Sequence, residues 1–118
     1  MWLNRYAGGA MKVIMIYGSA NDVPFMEPAR VYLKDSEVQY EETVLSAHRN
    51  LSELIEYLAK LEESGEKAVI LAIAGLAAAL PGVVVMKTSL PVIGVPVPGG
   101  PLNGIDALLS ISQLPGGV

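Results

Sequence analysis

The chain has 118 residues, of which 52% are hydrophobic and 17% charged, with a net charge of −4 at pH 7. This length suits one domain that buries roughly two thirds of its unfolded surface, and the apolar surplus favours further burial between subunits. The acidic balance, without a run of Lys or Arg, argues against binding to nucleic acid or an anionic membrane. The absence of cysteine argues against disulfides and thiolate metal sites and fits a reducing cytoplasm.

Two segments could be mistaken for targeting sequences. Residues 1–10 lack the apolar region of a secretory signal, and Met11 begins a typical chain start, so we interpret 1–10 as a leader and 11–118 as the domain. Residues 68–86 are uncharged over a length that could cross a bilayer. Gly75 and the Pro81-Gly82 pair, however, divide them into a strand and a helix. We therefore expect no membrane span.

Apolar runs predict strands at residues 12–16, 67–74 and 91–95, and a partly alternating, β-branched run predicts another at 38–45. A helix is expected between each strand and the next, and one more follows the last strand. The first is predicted to start at Asn21 or Asp22, either of which can cap it, with Pro24 in its first turn. The others are predicted at 50–64, 77–86 and 102–114.

Local signals refine these helices. Asn50 and Glu53 fit a capping box that begins the second helix, and Gly65 is expected to end it. Pro81 is expected to kink the third helix. The loop from Pro96 to Gly100 is rich in Pro and Gly, which cannot sustain a strand ladder.

Alternating strands and helices predict an α/β fold with a parallel sheet and helices on both faces. In such sheets ligands bind beyond the carboxyl ends of the strands, where the strand order reverses. Four loops follow strands, at residues 18–22, 46–49, 74–76 and 96–103. We therefore expect these four loops to lie along one edge of the sheet.

The first loop offers backbone N–H groups and the Ser19 hydroxyl, which suit an anion. It lacks the lysine of a Walker loop, and a simple turn with a helix cap explains it at least as well. Asp22 is equally open, because its carboxylate could cap the helix or accept ribose hydroxyls. Ala74-Gly75 permits close approach of a ligand to the backbone, or is only a tight turn.

His48 is the single histidine, and it follows a predicted strand beside Arg49. Imidazole changes charge near neutral pH and can take and return a proton, while a guanidinium suits bidentate phosphate binding. On local composition alone, a polar surface role for His48 is the better explanation. Without a second His or any Cys, we expect no metal site. The pairs Glu41-Glu42 and Glu62-Glu63 are interpreted as solvated faces.

Six segments, in order, carry a family resemblance: GSAND at 18–22, SAHR at 46–49, AIAGLAA at 72–78, LPG at 80–82, PVIGVPV at 91–97 and LNGIDALLS at 102–110. Together they resemble the N5-carboxyaminoimidazole ribonucleotide mutase family over residues 11–118. The resemblance implies a flavodoxin-like three-layer α/β domain that assembles as a homo-octamer. It also implies an enzyme of purine biosynthesis that needs no ATP, metal or other cofactor.

The resemblance also implies residue roles. Ser19 and Arg49 hold the 5′-phosphate of the ribonucleotide, and Asp22 holds the ribose hydroxyls. Ser46 and the Ala74-Gly75 backbone hold the migrating carboxylate, and Leu80 lines the pocket. His48 moves the proton as the carboxyl group passes from N5 to C4.

The chain departs from the family pattern at two places. Many members have a histidine where this chain has Ala79, and members continue past the equivalent of Val118 into another strand and a long helix.

Three alternative functions stay open. They are an aminoimidazole ribonucleotide carboxylase using free carbon dioxide, in which Lys replaces Arg49, a carboxylase acting on a nicotinate dinucleotide, and a non-catalytic nucleotide-binding relative.

Overall fold

The computed structural model describes residues 11–118, so the leader predicted at residues 1–10 lies outside the described part. Within that part, four parallel strands form one sheet: β1 (Lys12–Tyr17), β2 (Tyr40–Val44), β3 (Ala68–Ala74) and β4 (Val92–Pro96). The spatial order is β2-β1-β3-β4. The chain therefore reverses its direction of travel across the sheet between β1 and β3, as in flavodoxin-like folds.

Four α-helices and one 3₁₀ segment accompany the strands. They are the 3₁₀ segment (Ala20–Met26), α1 (Glu27–Asp35), α2 (Leu51–Ser64), α3 (Leu80–Met86) and α4 (Ile105–Ser112). No helix of the described residues is long and apolar enough to cross a membrane.

The sheet has a hydrophobic cluster on each face, because successive side chains of a strand point to opposite sides. On one face Met15, Tyr17 and Ile73 pack with Met26 of the 3₁₀ segment and Leu33 of α1. On the other face the sheet residues pack with α2, α3 and α4, the larger cluster including Ile14, Ile16, Ile70, Leu54, Leu58, Leu61, Val84 and Ala107. The predicted three-layer α/β arrangement is confirmed.

The start of the first helix differs from the prediction. A 3₁₀ segment precedes α1, and its cap is Ser19, whose Oγ accepts a hydrogen bond from the Asn21 amide at 3.2 Å. Asp22 instead donates its backbone amide to the Ser19 carbonyl at 3.0 Å, three residues back. Capping by Asn21 or Asp22 was therefore the wrong assignment. Pro24 within the segment lacks an N–H, which favours this short tight turn over an α-helix.

Two other predictions about the helices need correction. Asn50 precedes α2, but its side chain makes no capping hydrogen bond, so the predicted capping box is not formed. Pro81 does not kink α3. The helix begins at Leu80 and holds Pro81 in its first turn, where the missing N–H costs nothing. The end of α2 at Gly65, in the left-handed conformation, is confirmed.

Candidate active site

An open cleft of about 560 Å³ lies at the carboxyl ends of the strands. It is lined by residues from all four strand-end loops, as the parallel topology predicts. Every site residue expected from the sequence lines this cleft: Ser19, Asp22, Ser46, His48, Arg49, Ala74, Gly75 and Leu80. The structure thus brings together side chains that are up to 61 positions apart in the chain.

Asp22 lies at the junction of β1 and β3. A Cβ placed on Gly18 would be 3.8 Å from Asp22 Oδ2, and one placed on Gly75 would be 3.8 Å from Asp22 Oδ1. The carboxylate is buried, and this burial raises the pKa of Asp22 above its usual range, while a hydrogen bond from the Ser19 backbone acts in the opposite direction. Asp22 is therefore a buried acceptor at the point where the strand order reverses.

The 3₁₀ segment that carries Asp22 is held in place by hydrogen bonds from Arg30 of α1. The Arg30 Nη2 donates to the Val23 carbonyl at 3.1 Å. Its Nη1 donates to Glu42 Oε1 at 2.7 Å and to the Tyr17 hydroxyl at 3.1 Å. The Tyr17 hydroxyl in turn donates to Glu42 at 2.6 Å. This network ties the segment to both β1 and β2.

Ser46 organises the turn that follows β2. Its buried Oγ accepts hydrogen bonds from the backbone amides of His48 and Arg49, both at 3.2 Å. Its carbonyl accepts from the Asn50 amide at 2.9 Å. A serine hydroxyl that accepts twice still has its own hydrogen to donate. The turn holds His48 and Arg49 in the cleft wall, just before the first turn of α2.

The loop after β3 passes very close to the loop after β4. The Ala74 carbonyl accepts from the Val97 amide at 3.0 Å. A Cβ on Gly75 would lie 3.2 Å from Val97 Cγ2 and 3.3 Å from its carbonyl oxygen, tighter than ordinary contacts. Gly75 therefore permits the close approach of the loop after β4, while the approach of a ligand to this backbone stays a prediction. Leu80 is buried at the far side of this loop.

Some cleft residues were not predicted individually. Phe25 lines the cleft although 48% of it is exposed. In a 3₁₀ helix residues three apart lie one above the other, which places Phe25 over Asp22. The signal in the sequence was a lone phenylalanine three positions after Asp22, in a turn containing proline. Pro98, Gly99 and Gly100 also line the cleft, from the loop expected at this edge.

Three of the four glutamates in the acidic pairs, Glu41, Glu42 and Glu62, have partners within the protein and are not only solvated. Glu41 accepts a hydrogen bond from Lys12 at 2.7 Å, and Glu42 belongs to the Arg30 network. Glu62 accepts hydrogen bonds from Thr88 and Ser89 before β4. None of these carboxylates lines the cleft. The described residues contain no group of His, Asp and Glu that could hold a metal ion.

The fold and the cleft define a class: a flavodoxin-like α/β protein with an open cleft at the switch point of its sheet. The AIR carboxylase family model matches residues 12–118. The N5-carboxyaminoimidazole ribonucleotide mutases of Pyrococcus abyssi and Thermotoga maritima are 51% and 50% identical to this chain, over 93% and 91% of its length. This chain belongs to the AIR carboxylase family.

Solved structures agree with this assignment. The crystal structure of Treponema denticola PurE matches 91% of the chain with a TM-score of 0.83 and 27% identity. The chain spans 67% of that structure, and 63% and 62% of the two mutases named above. It is thus similar to about two thirds of a longer family member.

Proposed function

We propose that the chain carries the catalytic cleft of an N5-carboxyaminoimidazole ribonucleotide mutase, an isomerase of purine biosynthesis. The observation that carries the proposal is the convergence of eight expected residues on one cleft at the switch point of the sheet. Curated relatives about 50% identical to the chain bear this name. The substrate is a small ribonucleotide, and no cofactor is required.

The phosphate end of the substrate lies between the first two loops in this proposal. Ser19 and Arg49 both line the cleft, from the loops that follow β1 and β2, and the Ser19 hydroxyl accepts from the Asn21 amide and keeps its own hydrogen to donate. Arg49 supplies charge and paired N–H donors, which suit a phosphate. Asp22 accepts hydrogen bonds from the ribose hydroxyls. Those donors would offset the desolvation that raises the pKa of the buried carboxyl group.

The carboxyl group is transferred at the other end of the cleft. Ser46 donates its hydroxyl hydrogen to the carboxylate, since its Oγ already accepts two backbone amides. The Ala74-Gly75 backbone lies opposite, and Leu80 forms an apolar wall beside it. This combination of one polar contact and apolar walls suits a carboxylate that becomes neutral carbon dioxide during the reaction.

The reaction balances as a two-step transfer. The bond between N5 and the carboxyl carbon breaks, carbon dioxide leaves, and the electron pair stays on nitrogen, which takes a proton. Carbon C4 then attacks the carbon dioxide and loses its own proton. His48 supplies the first proton and accepts the second, so the enzyme returns to its starting state. Exclusion of water favours recapture of the carbon dioxide over its escape.

The proposed assembly is a homo-oligomer, an octamer by family resemblance, located in the cytoplasm. Along one face of α4, Ile105, Leu108 and Leu109 are each at least half exposed. Large exposed apolar side chains grouped on one side mark interaction surfaces. The lack of cysteine fits a reducing compartment.

A direct assay tests the proposed reaction. Purified protein is mixed with N5-carboxyaminoimidazole ribonucleotide in bicarbonate-free buffer, and formation of the C4-carboxylated isomer is followed. We expect turnover under these conditions. Turnover only with aminoimidazole ribonucleotide plus bicarbonate would instead indicate a carboxylase. Binding without turnover in either assay would indicate a non-catalytic relative.

A further inference from the structure

Leu76 has an unusual backbone conformation for its residue type. Its φ is 54°, in the left-handed region, where the Cβ of an L-residue meets its own backbone. Among the described residues, only Glu37 and Asn103 are other non-glycines with positive φ, and neither lines the cleft. Leucine has no polar side chain to compensate this strain locally. Strained residues that line a cleft point to a functional role.

The Leu76 side chain bridges two loops of the cleft. It follows Gly75 directly, and its Cδ2 lies 3.9 Å from the position a Cβ would take on Gly99. The corresponding distance at Gly100 is only 2.8 Å, so a side chain there would collide with Leu76. All four residues line the cleft. Leu76 therefore spans the gap between the loops after β3 and β4.

Burial does not explain this arrangement, since Leu76 is 55% exposed. An apolar side chain held half-exposed over a cleft gains little by hydrophobic burial compared with a core leucine. Its side chain instead occupies the gap between the loops after β3 and β4. That gap follows directly on the Ala74-Gly75 backbone, where the proposed function locates the carboxyl group.

We propose that Leu76 is a cover that retains carbon dioxide during the transfer, held over the cleft by its left-handed backbone and its contact with Gly99 and Gly100. The inference rests on the proposed function. Carbon dioxide is small and uncharged, so hydrogen bonds hold it weakly and a closed apolar wall is what delays its escape. Leu76 thus determines how much of the released carbon dioxide reaches C4.

The test compares Leu76→Gly with a matched control, Glu37→Gly. Both substitutions relieve a left-handed non-glycine, but only the first opens the cleft. For each protein the amounts of C4 isomer and of free aminoimidazole ribonucleotide formed from N5-carboxyaminoimidazole ribonucleotide are measured, with spontaneous decay subtracted. We expect Leu76→Gly to raise the fraction lost as free aminoimidazole ribonucleotide at least threefold. Glu37→Gly should match the wild type.

A second variant displaces the Leu76 side chain without changing residue 76. Gly100→Ala places a Cβ where Leu76 lies and should displace it. We expect the same increase in lost carbon dioxide, although this protein should be less stable, whereas Leu76→Gly should not be. A merely structural role would change the total rate or the melting temperature but not the product ratio. An unchanged ratio in Leu76→Gly overturns the inference.

Failure of the proposed function gives a different result. If the wild type shows no turnover, the mutase assignment fails, and Leu76 is then judged by calorimetric binding of the stable C4-carboxylated ribonucleotide. We expect Leu76→Gly to bind it at least threefold more weakly than the wild type, because the carboxylate contacts become open to water. Equal affinity, or no binding by the wild type, overturns the inference about Leu76.

Discussion

At the scale of single residues, Ser19 and Asp22 can each either cap a helix or contact a ligand. Both side chains can cap a helix, and a carboxylate is also a good ribose ligand. The structure gives the cap to Ser19 and leaves Asp22 buried beside Gly18 and Gly75. A local pattern cannot distinguish these uses, because the difference arises where β1 meets β3.

Asp22 should make stability depend on pH. Burial raises the pKa of its carboxyl group, so the folded protein binds this proton more tightly than the unfolded chain. The contribution of Asp22 to the free energy of unfolding therefore falls as pH rises from the unfolded pKa, about 4, through the raised folded value. Asp22→Asn removes this dependence. The melting temperature of the variant relative to wild type should increase between pH 4 and pH 7.

The same substitution should weaken the ligand site. Loss of a charged acceptor for ribose hydroxyls corresponds to roughly tenfold or more in affinity, measurable by titration with the ribonucleotide. A stability difference that is constant with pH would contradict the raised pKa. Unchanged affinity would remove Asp22 from the binding site.

The role expected of His48 depends on its position in the folded chain more than on its neighbours in the sequence. Its neighbours in sequence favour a surface role, and only the convergence of the strand-end loops favours catalysis. We expect His48→Asn to lower the rate by roughly 10²- to 10⁴-fold, the usual contribution of a general acid–base group. Ribonucleotide binding should survive, because Ser19, Asp22 and Arg49 remain.

The matched control is Lys60→Met, at an exposed position on α2 that forms an ion pair with Glu56 at 3.0 Å and does not line the cleft. Steady-state kinetics and calorimetry on both variants separate the two effects. Full activity in His48→Asn would exclude the imidazole from the reaction, while loss of binding would assign it a ligand role instead.

At the scale of elements, the sequence predicts the positions of the strands well and the starts of the helices less well. Apolar runs specify the central strands β1 and β3 to within about two residues, because these strands are largely buried, and β-branched residues locate the edge strands β2 and β4 as closely. The starts of the first and third helices were missed, since a 3₁₀ turn lacks the 3.6-residue period and Pro81 fits a first turn as well as a kink. Likewise, nothing in the residue type Leu indicates that Leu76 is left-handed.

The packing of α3 and α4 on β4 depends on Gly94. A Cβ at this position would lie 2.6 Å from Ile111 Cγ2 and 3.4 Å from Pro81 Cβ. Because the nearer atom belongs to a β-branched side chain packed against the core, it cannot easily move aside. We expect Gly94→Ala to lower the free energy of unfolding by about 1–3 kcal/mol, as measured by denaturant titration.

Gly116→Ala is the control for this substitution, since a Cβ there meets no atom within 4 Å. It should leave the free energy of unfolding nearly unchanged. Equal stability of the two variants would mean that α4 does not approach β4 as closely as the structure has it.

At the scale of the whole molecule, the high hydrophobic fraction of the sequence is reflected in apolar side chains exposed on the surface. The apolar surplus of the sequence becomes exposed leucine and isoleucine side chains on α4 and β4. The cleft, too, could be located from the sequence alone, because parallel topology gathers the strand-end loops. The contact between Leu76 and Gly100 could not, since it depends on how two loops 24 residues apart meet.

The exposed apolar face of α4 supports the proposed self-association. We expect light scattering on the purified protein to give a mass several times 12.5 kDa, and Leu108→Glu to reduce it, because a carboxylate cannot be buried cheaply between subunits. Lys60→Met again serves as the control. A monomer at high concentration would contradict the proposed homo-oligomer.

In the proposed reaction, the carboxyl group of the product comes from N5 of the substrate within the cleft, and not from solvent. The most direct measurement uses N5-carboxyaminoimidazole ribonucleotide labelled with ¹³C in its carboxyl group, in buffer containing unlabelled bicarbonate. Mass spectrometry of the C4-carboxylated product then reports the origin of the carbon. We expect most of the product to keep the label. Product that carries only unlabelled carbon would contradict transfer of the carboxyl group within the cleft.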